Sequence, residues 1–577
     1  MPKRLPSPSP STASKKQRMD FAFAPRRIAT AEAAAAAQAD PPLFKLLTLL
    51  RDVVASPQVG KSIVYWMRMG DLRITDNRAL AAASSQAVKD KLPLVVLFVI
   101  SPEDYIAHDR SKRRIDFTLR NLAKIKDALA ELNIPFHTIT HSPRRTLPAK
   151  VVSLLDSFQS TRLFANIEYE VDELRRDIQI CSLAKQKGIK PCYLHDRCII
   201  EPGVVTTKGG KAHTVYSPYQ RIWIATLNDS ISDYLKESPS PEENASDVRQ
   251  HPILGPLFNT AIPEYVEGFE LESNDKQTMA GVWPAGSDAA QQVLSRFLQT
   301  KSRASQLGVA DPLAEGAEHS DKRSRVLVYH ESRNRGDRDT TSRLSPYFSA
   351  GVISSRECVR ASMELAGSKN VDAGRTGIGC WIRELAWRDF YTNVLAHFPR
   401  VSMGRPFQEK MADVNWEVND AHLQAWKEGK TGIPIIDAAM RQANTMGWMH
   451  NRMRMIVAVF LSKDLMVDWR LGERYFMEQF IDGDLANNNG GWQWSASTGV
   501  DPAPYFRLFN PYSQSTKADP TGDYIRTFVP ELKNLRGPEI HNPPAKIADK
   551  LGYPRPIVDH AEVRQRALRR YKNPGHE

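Results

Sequence analysis

The sequence predicts a two-part fold: an α/β domain with a parallel, Rossmann-like sheet and helices on both faces, followed by an all-helical domain. Length is the first indication, because 577 residues exceed what a single hydrophobic core usually holds. The second is the alternation of short apolar runs with amphipathic stretches of helical length between Ser62 and Lys187. The third is helical periodicity, which dominates from Asp288 to the end of the chain.

The apolar runs define the elements of the α/β part. Residues 92–100 form the longest run, which is far too short to cross a bilayer and suits a buried strand. No GxGxxG pattern follows the first strand, so a dinucleotide site has no support there. The predicted strands are residues 63–67, 92–100, 134–140 and 163–166, and the predicted helices are residues 77–87, 112–132, 149–158 and 171–187.

Composition divides the chain into four segments. Residues 1–58 have too few large apolar side chains to form a core, so we expect a disordered basic extension. Residues 59–195 are the predicted α/β domain. Residues 196–287 are rich in Pro, Ser, Glu and Gly, which predicts a connection wrapped on the surface, and residues 288–577 form the helical domain.

The basic extension carries a targeting signal. Lysines and arginines at positions 3, 4, 15, 16 and 18 flank a Ser/Pro spacer, which is the two-cluster form of a nuclear import signal. A mitochondrial presequence is the competing interpretation, since no acidic residue precedes Asp20. Prolines at positions 6, 8 and 10 disfavour the amphipathic helix that a presequence needs. We therefore expect the nucleus, with the mitochondrion as a further destination.

The net charge and the cysteines indicate which kinds of partner and which compartment to expect. A net charge of +12 and a pI near 9.3 favour a polyanionic partner such as nucleic acid. The five cysteines form neither a CxxC pair nor a dense framework, which agrees with a reducing compartment and predicts no metal site. No secretory signal or membrane span is visible, so we expect no membrane partner.

Residues 431–510 combine more polar and aromatic side chains with apolar ones than any other stretch, which predicts the floor of a buried site. Helical spacing covers residues 435–443, 452–465 and 473–481. An Asp-Gly-Asp sequence, three asparagines and two glycines follow, and these let a backbone approach a ligand while short side chains supply hydrogen bonds. The alternative is a polar helix connection stabilised by Asx turns.

Five long motifs stand out in the sequence: WIRELAWRDFY, TSRLSPY, GWMHNRMRM, IDGDLANNNGGWQW and PYFRLFNP. Together they resemble the photolyase/cryptochrome family, and most of all class I cyclobutane pyrimidine dimer photolyase, over roughly residues 60–560. It implies a monomeric enzyme that binds UV-damaged DNA and splits pyrimidine dimers by electron transfer from photoexcited, reduced, non-covalent FAD. The alternative within the family is a cryptochrome, a blue-light receptor that signals through a protein partner.

The resemblance assigns FAD contacts to the helical domain. For the motif TSRLSPY (residues 341–347) alone, a Ser/Thr helix N-cap is the simpler interpretation. The residues assigned to FAD are Tyr329, Thr341, Ser342, Arg343, Leu344, Ser345, Trp381, Arg454, Asp482, Gly483 and Asp484, with Asn488 facing the flavin's reactive nitrogen.

The same resemblance assigns the lesion pocket. Six-four photolyases carry histidines where this chain has Asn451 and Met455, so the chain matches the cyclobutane-dimer class, and we expect His450 to face away from the pocket. The assigned catalytic residues are Glu384, Trp387, Asn451, Met455 and Asn488, and the DNA contacts are Glu384, Trp387, Arg388, Tyr391, Asn451, Arg452 and Trp494.

Two further groups of residues are assigned by resemblance. Trp416, Trp469 and Trp492 match an electron-transfer relay from surface to flavin, although such tryptophans are ordinarily core residues. His108, Asp172 and Glu173 match an antenna site for a reduced folate, 5,10-methenyltetrahydrofolate, with Asp172 where folate-binding relatives have Asn. Apart from the family resemblance, Asp172 and Glu173 are simply acidic residues in the first turn of a helix, where they interact favourably with the helix dipole.

Overall fold

A computed structural model describes residues 28–52, 60–305, 307, 310–371, 374, 376–502 and 506–575. Its first domain contains a five-stranded sheet of order β3-β2-β1-β4-β5, in which every neighbouring pair is parallel. This confirms the predicted Rossmann-like α/β domain. The strands are Ser62–Met67 (β1), Leu94–Ile100 (β2), Phe136–Thr140 (β3), Ser160–Asn166 (β4) and Lys190–Leu194 (β5).

Helices cover both faces of the sheet. Along β1, Ile63 and Tyr65 belong to one hydrophobic cluster while Val64 and Trp66 belong to another, so the strand is buried on both sides. The helices of this part are Ala31–Ala39 (α1), Pro42–Arg51 (α2), Arg78–Asp90 (α3), Pro102–Ala107 (α4), Lys112–Glu131 (α5), Leu147–Ser157 (α6) and Val171–Gln186 (α7).

The predicted disorder is wrong for residues 28–52, which contain α1 and α2. Leu43 and Leu46 of α2 are buried in the cluster that includes Leu174 of α7 and Val401 of the helical domain. The Ala29 amide also donates to the carbonyl oxygen of Met403, at 3.1 Å. This part of the extension therefore packs across both domains. Residues 1–27, which carry the expected targeting signal, lie outside the described residues.

The connection after β5 is more structured than its composition predicts. Helices Tyr216–Asp229 (α8), Ile231–Tyr234 (α9) and Ser273–Val282 (α10) lie within it. Trp223 and Trp283 are fully buried, and the Trp223 indole donates to the Asp389 carboxylate at 3.0 Å. The segment thus adds core side chains and is not a surface wrapping alone.

From Ser287 onward the chain is helical, as predicted. One hydrophobic cluster includes both Ile63 of β1 and Leu385 of this domain, so the sheet domain and the helical domain pack directly on each other. The helices are Ser287–Gln299 (α11), Tyr329–Ser332 (α12), Ser345–Ala350 (α13), Ser355–Ala366 (α14), Gly377–His397 (α15), Asp420–Glu428 (α16), Pro434–Met446 (α17), Asn451–Val459 (α18), Trp469–Gln479 (α19), Leu485–Ala496 (α20), Pro511–Ala518 (α21), Asp523–Phe528 (α22), Ala545–Leu551 (α23) and His560–Lys572 (α24).

Candidate functional site

A cavity of about 310 Å³ opens in the helical domain, which is within the size range of cofactor sites. The predicted site residues that line it are Tyr329, Thr341, Ser342, Arg343, Leu344, Ser345, Glu384, Arg388, Asn451, Arg454, Met455, Asp482, Gly483, Asp484, Asn488 and Trp492. The wall is completed by residues that were not individually assigned, most of them within the predicted stretch 431–510: Phe348, Ser349, Trp448, Met449, Ala458, Phe476, Phe480, Asn487, Gly491 and Ser495.

The segment 341–345 is held in place by a buried carboxylate. Asp339 accepts from Arg296 at 2.7 Å and from Arg325 at 2.9 Å, while Arg296 also donates to the carbonyl oxygens of Thr341 and Ser342. Burial would raise the pKa of Asp339, but the surrounding guanidinium groups lower it below its usual range. Within the segment, Arg343 has a φ of +60°, a strained conformation of the kind that clusters at ligand sites.

Two carboxylates of the Asp-Gly-Asp sequence are fixed by arginines from different elements. Asp482 accepts from Arg454 at 2.7 Å, and Asp484 pairs with Arg197, which follows β5, at 2.9 Å. Burial would raise the pKa of Asp484, but Arg197 and Arg388 lower it, so the carboxylate stays ionised. The cavity is therefore bordered by charges of both signs in a mainly apolar wall.

The asparagine and glycine run forms α20 and not the irregular connection that composition suggests. Asp484 caps this helix by accepting from the Ala486 amide at 3.0 Å. Asn488 donates to the backbone carbonyl of Glu473 at 2.9 Å, which fixes its amide at the cavity wall. A Cβ on Gly491 would meet no atom within 4 Å, so this glycine leaves open space at the cavity.

The polar atoms at this cavity fit a polar cofactor. Asp482 Oδ1, Arg343 Nη1 and Trp492 Nε1 are buried without a hydrogen-bond partner in the described chain. Buried donors and acceptors are rarely left unpaired, so these atoms are available to a ligand that carries both kinds of group. FAD, with its phosphates, ribityl hydroxyls and ring amides, has that chemistry.

Trp381, a predicted flavin contact, lies behind the wall and does not line the cavity. Its ring packs against Tyr329 and Phe348, with centroid distances of 6.1 and 6.3 Å, and both of those residues do line it. The structure therefore gives Trp381 a supporting position. Its buried indole N–H has no protein partner among the described residues.

Three of the residues predicted to act on the lesion, Glu384, Asn451 and Met455, line the same cavity. Asn451 and Met455 both line it, as expected for positions four apart on α18, and Glu384 of α15 lines it too. His450 is 2 % exposed, and its Nδ1 accepts from the Arg452 amide as the N-cap of α18. It is not among the described lining residues, as predicted.

His450 is also electrostatically unsuited to donate a proton. Burial, together with the charges of Arg343, Arg452 and Arg454, lowers the pKa of His450 to about 3. The imidazole is therefore neutral near neutral pH.

The two predicted stacking tryptophans are partly buried, and each has a neighbour over its ring. Trp387 stacks on Tyr216 with a centroid distance of 3.6 Å and an interplanar angle of 9°. The Arg507 guanidinium lies 3.9 Å from the Trp494 ring centroid. Tyr216 belongs to the connection after the sheet, so no motif in the sequence indicated it. Neither tryptophan lines the cavity.

Two other predicted DNA contacts, Arg452 and Arg388, are both partly exposed and have different hydrogen-bond partners. Arg452 is partly exposed and donates to the Asn334 side chain at 2.9 Å. Arg388, by contrast, donates to the backbone carbonyls of Arg197 and Phe348 and borders the cavity beside Asp484. Arg388 thus lines the cavity, and its contact with DNA stays a prediction.

Tyr391, the remaining predicted contact, is partly buried and packs on Trp387 at a centroid distance of 5.4 Å. A Cβ on Gly490 would lie only 2.2 Å from the Tyr391 ring, so the glycine makes room for it. The position of Tyr391 is thus set jointly by α15 and α20. It does not line the cavity.

Two of the three relay tryptophans are buried and the third is partly exposed. Trp492 is buried and lines the cavity, Trp469 is 1 % exposed, and Trp416 is partly exposed beside Tyr571. Gly472 makes room for Trp492, since a Cβ there would lie 2.1 Å from the indole ring. Their role in electron transfer stays a prediction.

The predicted antenna residues are brought together at the first domain. The His108 ring lies 3.4 Å from Glu173 and 3.6 Å from Asp172, at the start of α7. Arg144, which the sequence did not indicate, donates to Asp172 at 3.1 Å. Burial raises the pKa of Glu173, and one of its oxygens has no partner among the described residues. Folate binding here stays a prediction.

The fold and the cavity define a class of protein, namely an α/β domain joined to a helical domain that encloses a cofactor cavity. Family models agree: residues 63–242 match the DNA photolyase model, and residues 381–573 match the FAD binding domain of DNA photolyase. A deoxyribodipyrimidine photo-lyase of Neurospora crassa is 42% identical over 92% of this chain and 85% of its own length. One of Escherichia coli is 36% identical over 88% of this chain and 98% of its own. The chain belongs to the DNA photolyase family.

Solved structures agree with this assignment. A class III photolyase of Agrobacterium tumefaciens has a TM-score of 0.72 and 27% identity, covering 90% of this chain and 99% of its own. A cryptochrome of Synechocystis has a TM-score of 0.72 at 23% identity, covering 90% of this chain and 100% of its own, and so shares the fold. In the part of the chain that the structure describes, no helix is both long and apolar enough to cross a membrane.

Proposed function

We propose that this chain is a light-dependent DNA repair enzyme that splits cyclobutane pyrimidine dimers with reduced FAD as electron donor. The main observation in support is that two groups of residues line the same cavity. Arg343, Arg454, Asp482 and Asp484 supply the polar border for a cofactor, and Glu384, Asn451 and Met455 line the same space. A lesion at the second group would therefore lie beside a cofactor held by the first.

The residues that would hold FAD are those of segment 341–345, Arg454, Asp482, Asp484 and Asn488. When bound and reduced, FAD supplies a light-excited electron donor. The protein binds and orients the reactants and excludes water with its apolar wall. Asn488 presents an amide, whose orientation is fixed by its bond to the Glu473 carbonyl, and it places no formal charge at the cavity.

At the lesion side, the protein selects and holds an extruded dimer. A pyrimidine dimer stacks and pairs poorly, so extruding it costs less than extruding sound bases. Partly buried aromatic rings such as Trp387 and Trp494 would provide surfaces for flipped bases, and the partial exposure of cationic Arg452 supports a phosphate contact there. Asn451 and Glu384 provide hydrogen-bonding groups to the polar edges of the pyrimidines, where an amide donates to a carbonyl oxygen and a carboxylate accepts from a ring N–H.

The chain's antenna, location and assembly belong to the same proposal. A reduced folate near His108 and Glu173 would extend light absorption, and the His108–Glu173 contact supports this site. The basic clusters before residue 19 support import into the nucleus, with the mitochondrion as a second destination. We propose that the enzyme acts as a monomer on UV-damaged DNA.

A repair assay tests the proposal. Purified protein loaded with FAD and chemically reduced is mixed with DNA that carries cyclobutane dimers, and loss of dimers is measured under blue light and in the dark. We expect repair in the light alone. FAD binding without light-dependent repair would favour a blue-light receptor, and failure to bind FAD would contradict the cofactor assignment. The same preparation kept oxidised is the matched control.

A further inference from the structure

A short hairpin at residues 205–213, the basic hairpin, belongs to the connection that follows the sheet. Its two strands form an antiparallel bridge, and the Thr207 amide donates to the Lys211 carbonyl oxygen at 2.8 Å. Two glycines form the tip. Gly210 has a φ of +72°, and a Cβ there would meet no atom within 4 Å. The tip therefore turns tightly in open space.

The base of the basic hairpin is fixed in the core. Val205 is 2% exposed, and the buried His213 ring packs edge-on against Tyr219 at a centroid distance of 6.1 Å. Just before the hairpin, the Gly203 amide donates to the Asn393 side chain of α15 at 3.3 Å. The base thus has a defined position relative to α15, the helix that carries Glu384 and Trp387.

The residues after the basic hairpin connect it to a ring of the proposed lesion pocket. The Thr214 carbonyl oxygen accepts from the Asp501 amide at 2.8 Å, and the Tyr216 amide donates to the Asp501 carboxylate at 3.3 Å. Tyr216 in turn stacks on Trp387, and its hydroxyl donates to the Arg383 carbonyl oxygen at 2.8 Å. The hairpin is therefore held beside a ring proposed to receive flipped bases.

Asp501 also reaches the second stacking tryptophan. Its backbone carbonyl oxygen accepts from Arg507 at 2.6 Å, and the Arg507 guanidinium lies over the Trp494 ring. Asp501 has a φ of +55°, which is uncommon outside glycine and is tolerated best by Asp and Asn. One residue thus links the basic hairpin to both tryptophans.

The exposed part of the basic hairpin is cationic. Lys208 and Lys211 at the tip are both exposed, and residues 202–228 contain no Asp or Glu. Exposed lysines are common on any protein surface. These two differ because they are carried on a hairpin fixed beside the lesion tryptophans. A lysine ammonium binds phosphate as a point charge, and a glycine turn lets the backbone come close to such a ligand.

We infer that the basic hairpin is a DNA-backbone contact, in which Lys208 and Lys211 bind phosphates that flank the dimer. The inference rests on the proposed function. An extended strand rises about 3.3 Å per residue, so the tip reaches at most about 13 Å beyond Thr214. Successive nucleotides of one strand are about 3.4 Å apart along the axis, so the lysines reach phosphates within about four nucleotides of the lesion. Such contacts add affinity and orient the duplex but do not choose the lesion.

The test compares wild type with Lys208→Gln/Lys211→Gln, both loaded with FAD and pre-reduced, on two substrates. One is a long duplex with a single central cyclobutane dimer, and the other is a dimer-containing dinucleotide, which has no flanking phosphates. We expect duplex affinity to fall at least ~5-fold at about 0.1 M salt. The slope of log affinity against log salt should decrease by about 1.8, because each phosphate contact contributes about 0.9. Light-driven repair of the dinucleotide should be unchanged.

Two controls separate a local contact from other effects. Lys89→Gln/Lys124→Gln removes two exposed lysines from α3 and α5 and so matches the change in net charge. It should leave duplex affinity and salt slope unchanged, whereas an equal loss would reveal a general charge effect and overturn the inference. An undamaged duplex should lose affinity for the hairpin variant by the same factor as the damaged one, since phosphate contacts carry no sequence information.

The outcomes are distinct. A loss confined to duplex DNA, with a shallower salt slope that the control lacks, supports the inference. Unchanged duplex affinity and slope would overturn it, and so would an equal loss of dinucleotide repair, which would place the effect in the lesion pocket. FAD content verifies folding, and Lys208→Ser/Lys211→Ser is a second neutral pair. Wild type that binds dimer DNA without repairing it in light would refute the proposed repair function and leave this binding test readable.

Discussion

Glu473 offers a pH-dependent test of the buried network behind Asn488. Its carboxylate accepts from Asn489 at 2.8 Å, and its backbone carbonyl accepts from Asn488. Burial raises the pKa of Glu473 from 4.5 to about 7, although the Asn489 hydrogen bond opposes the shift. The folded protein therefore keeps this carboxyl protonated at pH values where the unfolded chain has lost the proton.

The sign and size of the effect follow from linkage. At pH values below the pKa of the unfolded chain, the Glu473 carboxyl is protonated in both states and does not change the free energy of unfolding. As pH rises from the unfolded pKa to the folded pKa, the unfolded chain loses its proton first, so the free energy of unfolding falls. Above the folded pKa the decrease is complete and stays constant. The pKa shift corresponds to a loss of about 3 kcal/mol in the free energy of unfolding at high pH. Because the side chain is partly exposed, solvent screening reduces this loss to about 2 kcal/mol.

The perturbation is Glu473→Gln, which keeps an oxygen to accept from Asn489 and cannot ionise. We expect it to leave the free energy of unfolding unchanged at about pH 4.5 and to raise it by about 2 kcal/mol at about pH 8. Urea denaturation followed by tryptophan fluorescence measures both values, with the exposed Glu131→Gln as control. Equal effects at both pH values, or destabilisation at the higher one, would refute the reasoning.

Three further predictions concern function. Trp492→Phe should slow light-driven reduction of oxidised FAD at least ~10-fold and leave repair by pre-reduced enzyme nearly intact. Unchanged photoreduction would disprove the role of Trp492 in the electron-transfer relay. Glu384→Ala should lower the repair quantum yield, measured in single-turnover assays, more than it lowers DNA affinity. Arg452→Gln should weaken DNA binding and reduce its salt dependence. The opposite pattern would mean that Arg452 acts on the lesion and Glu384 on DNA binding. Glu173→Ala should abolish folate retention, measured by chromophore extraction, and undiminished folate would remove the antenna assignment.

The sequence predicted the sheet and much of the cavity for identifiable reasons. Both-face burial makes the first strands nearly continuous apolar runs, which are visible without a structure. β5 was not predicted, because Lys190–Leu194 is short, contains a proline and forms the edge of the sheet. Motif residues such as Asn451 and Asp482 fell at the cavity because contiguous motifs fix several positions at once.

The remaining differences arise from contacts between distant parts of the chain. Arg333 and Glu384 are 51 residues apart, so nothing local indicates their pair. The alanine-rich extension forms helices because alanine has high helix propensity, and because Leu43 and Leu46 enter a core that the rest of the chain supplies. Tyr216 likewise meets Trp387 only after folding.

Lesion choice tests the central claim most directly. Asn451 and Met455 line the lesion side and cannot supply a proton near neutral pH, while His450 is buried with its pKa lowered to about 3. DNA carrying either a cyclobutane dimer or a six-four photoproduct is illuminated separately with reduced enzyme, and the remaining lesion is quantified. The account predicts that cyclobutane dimers are cleared and six-four photoproducts persist. Comparable repair of both lesions, or repair of the six-four photoproduct alone, would contradict it.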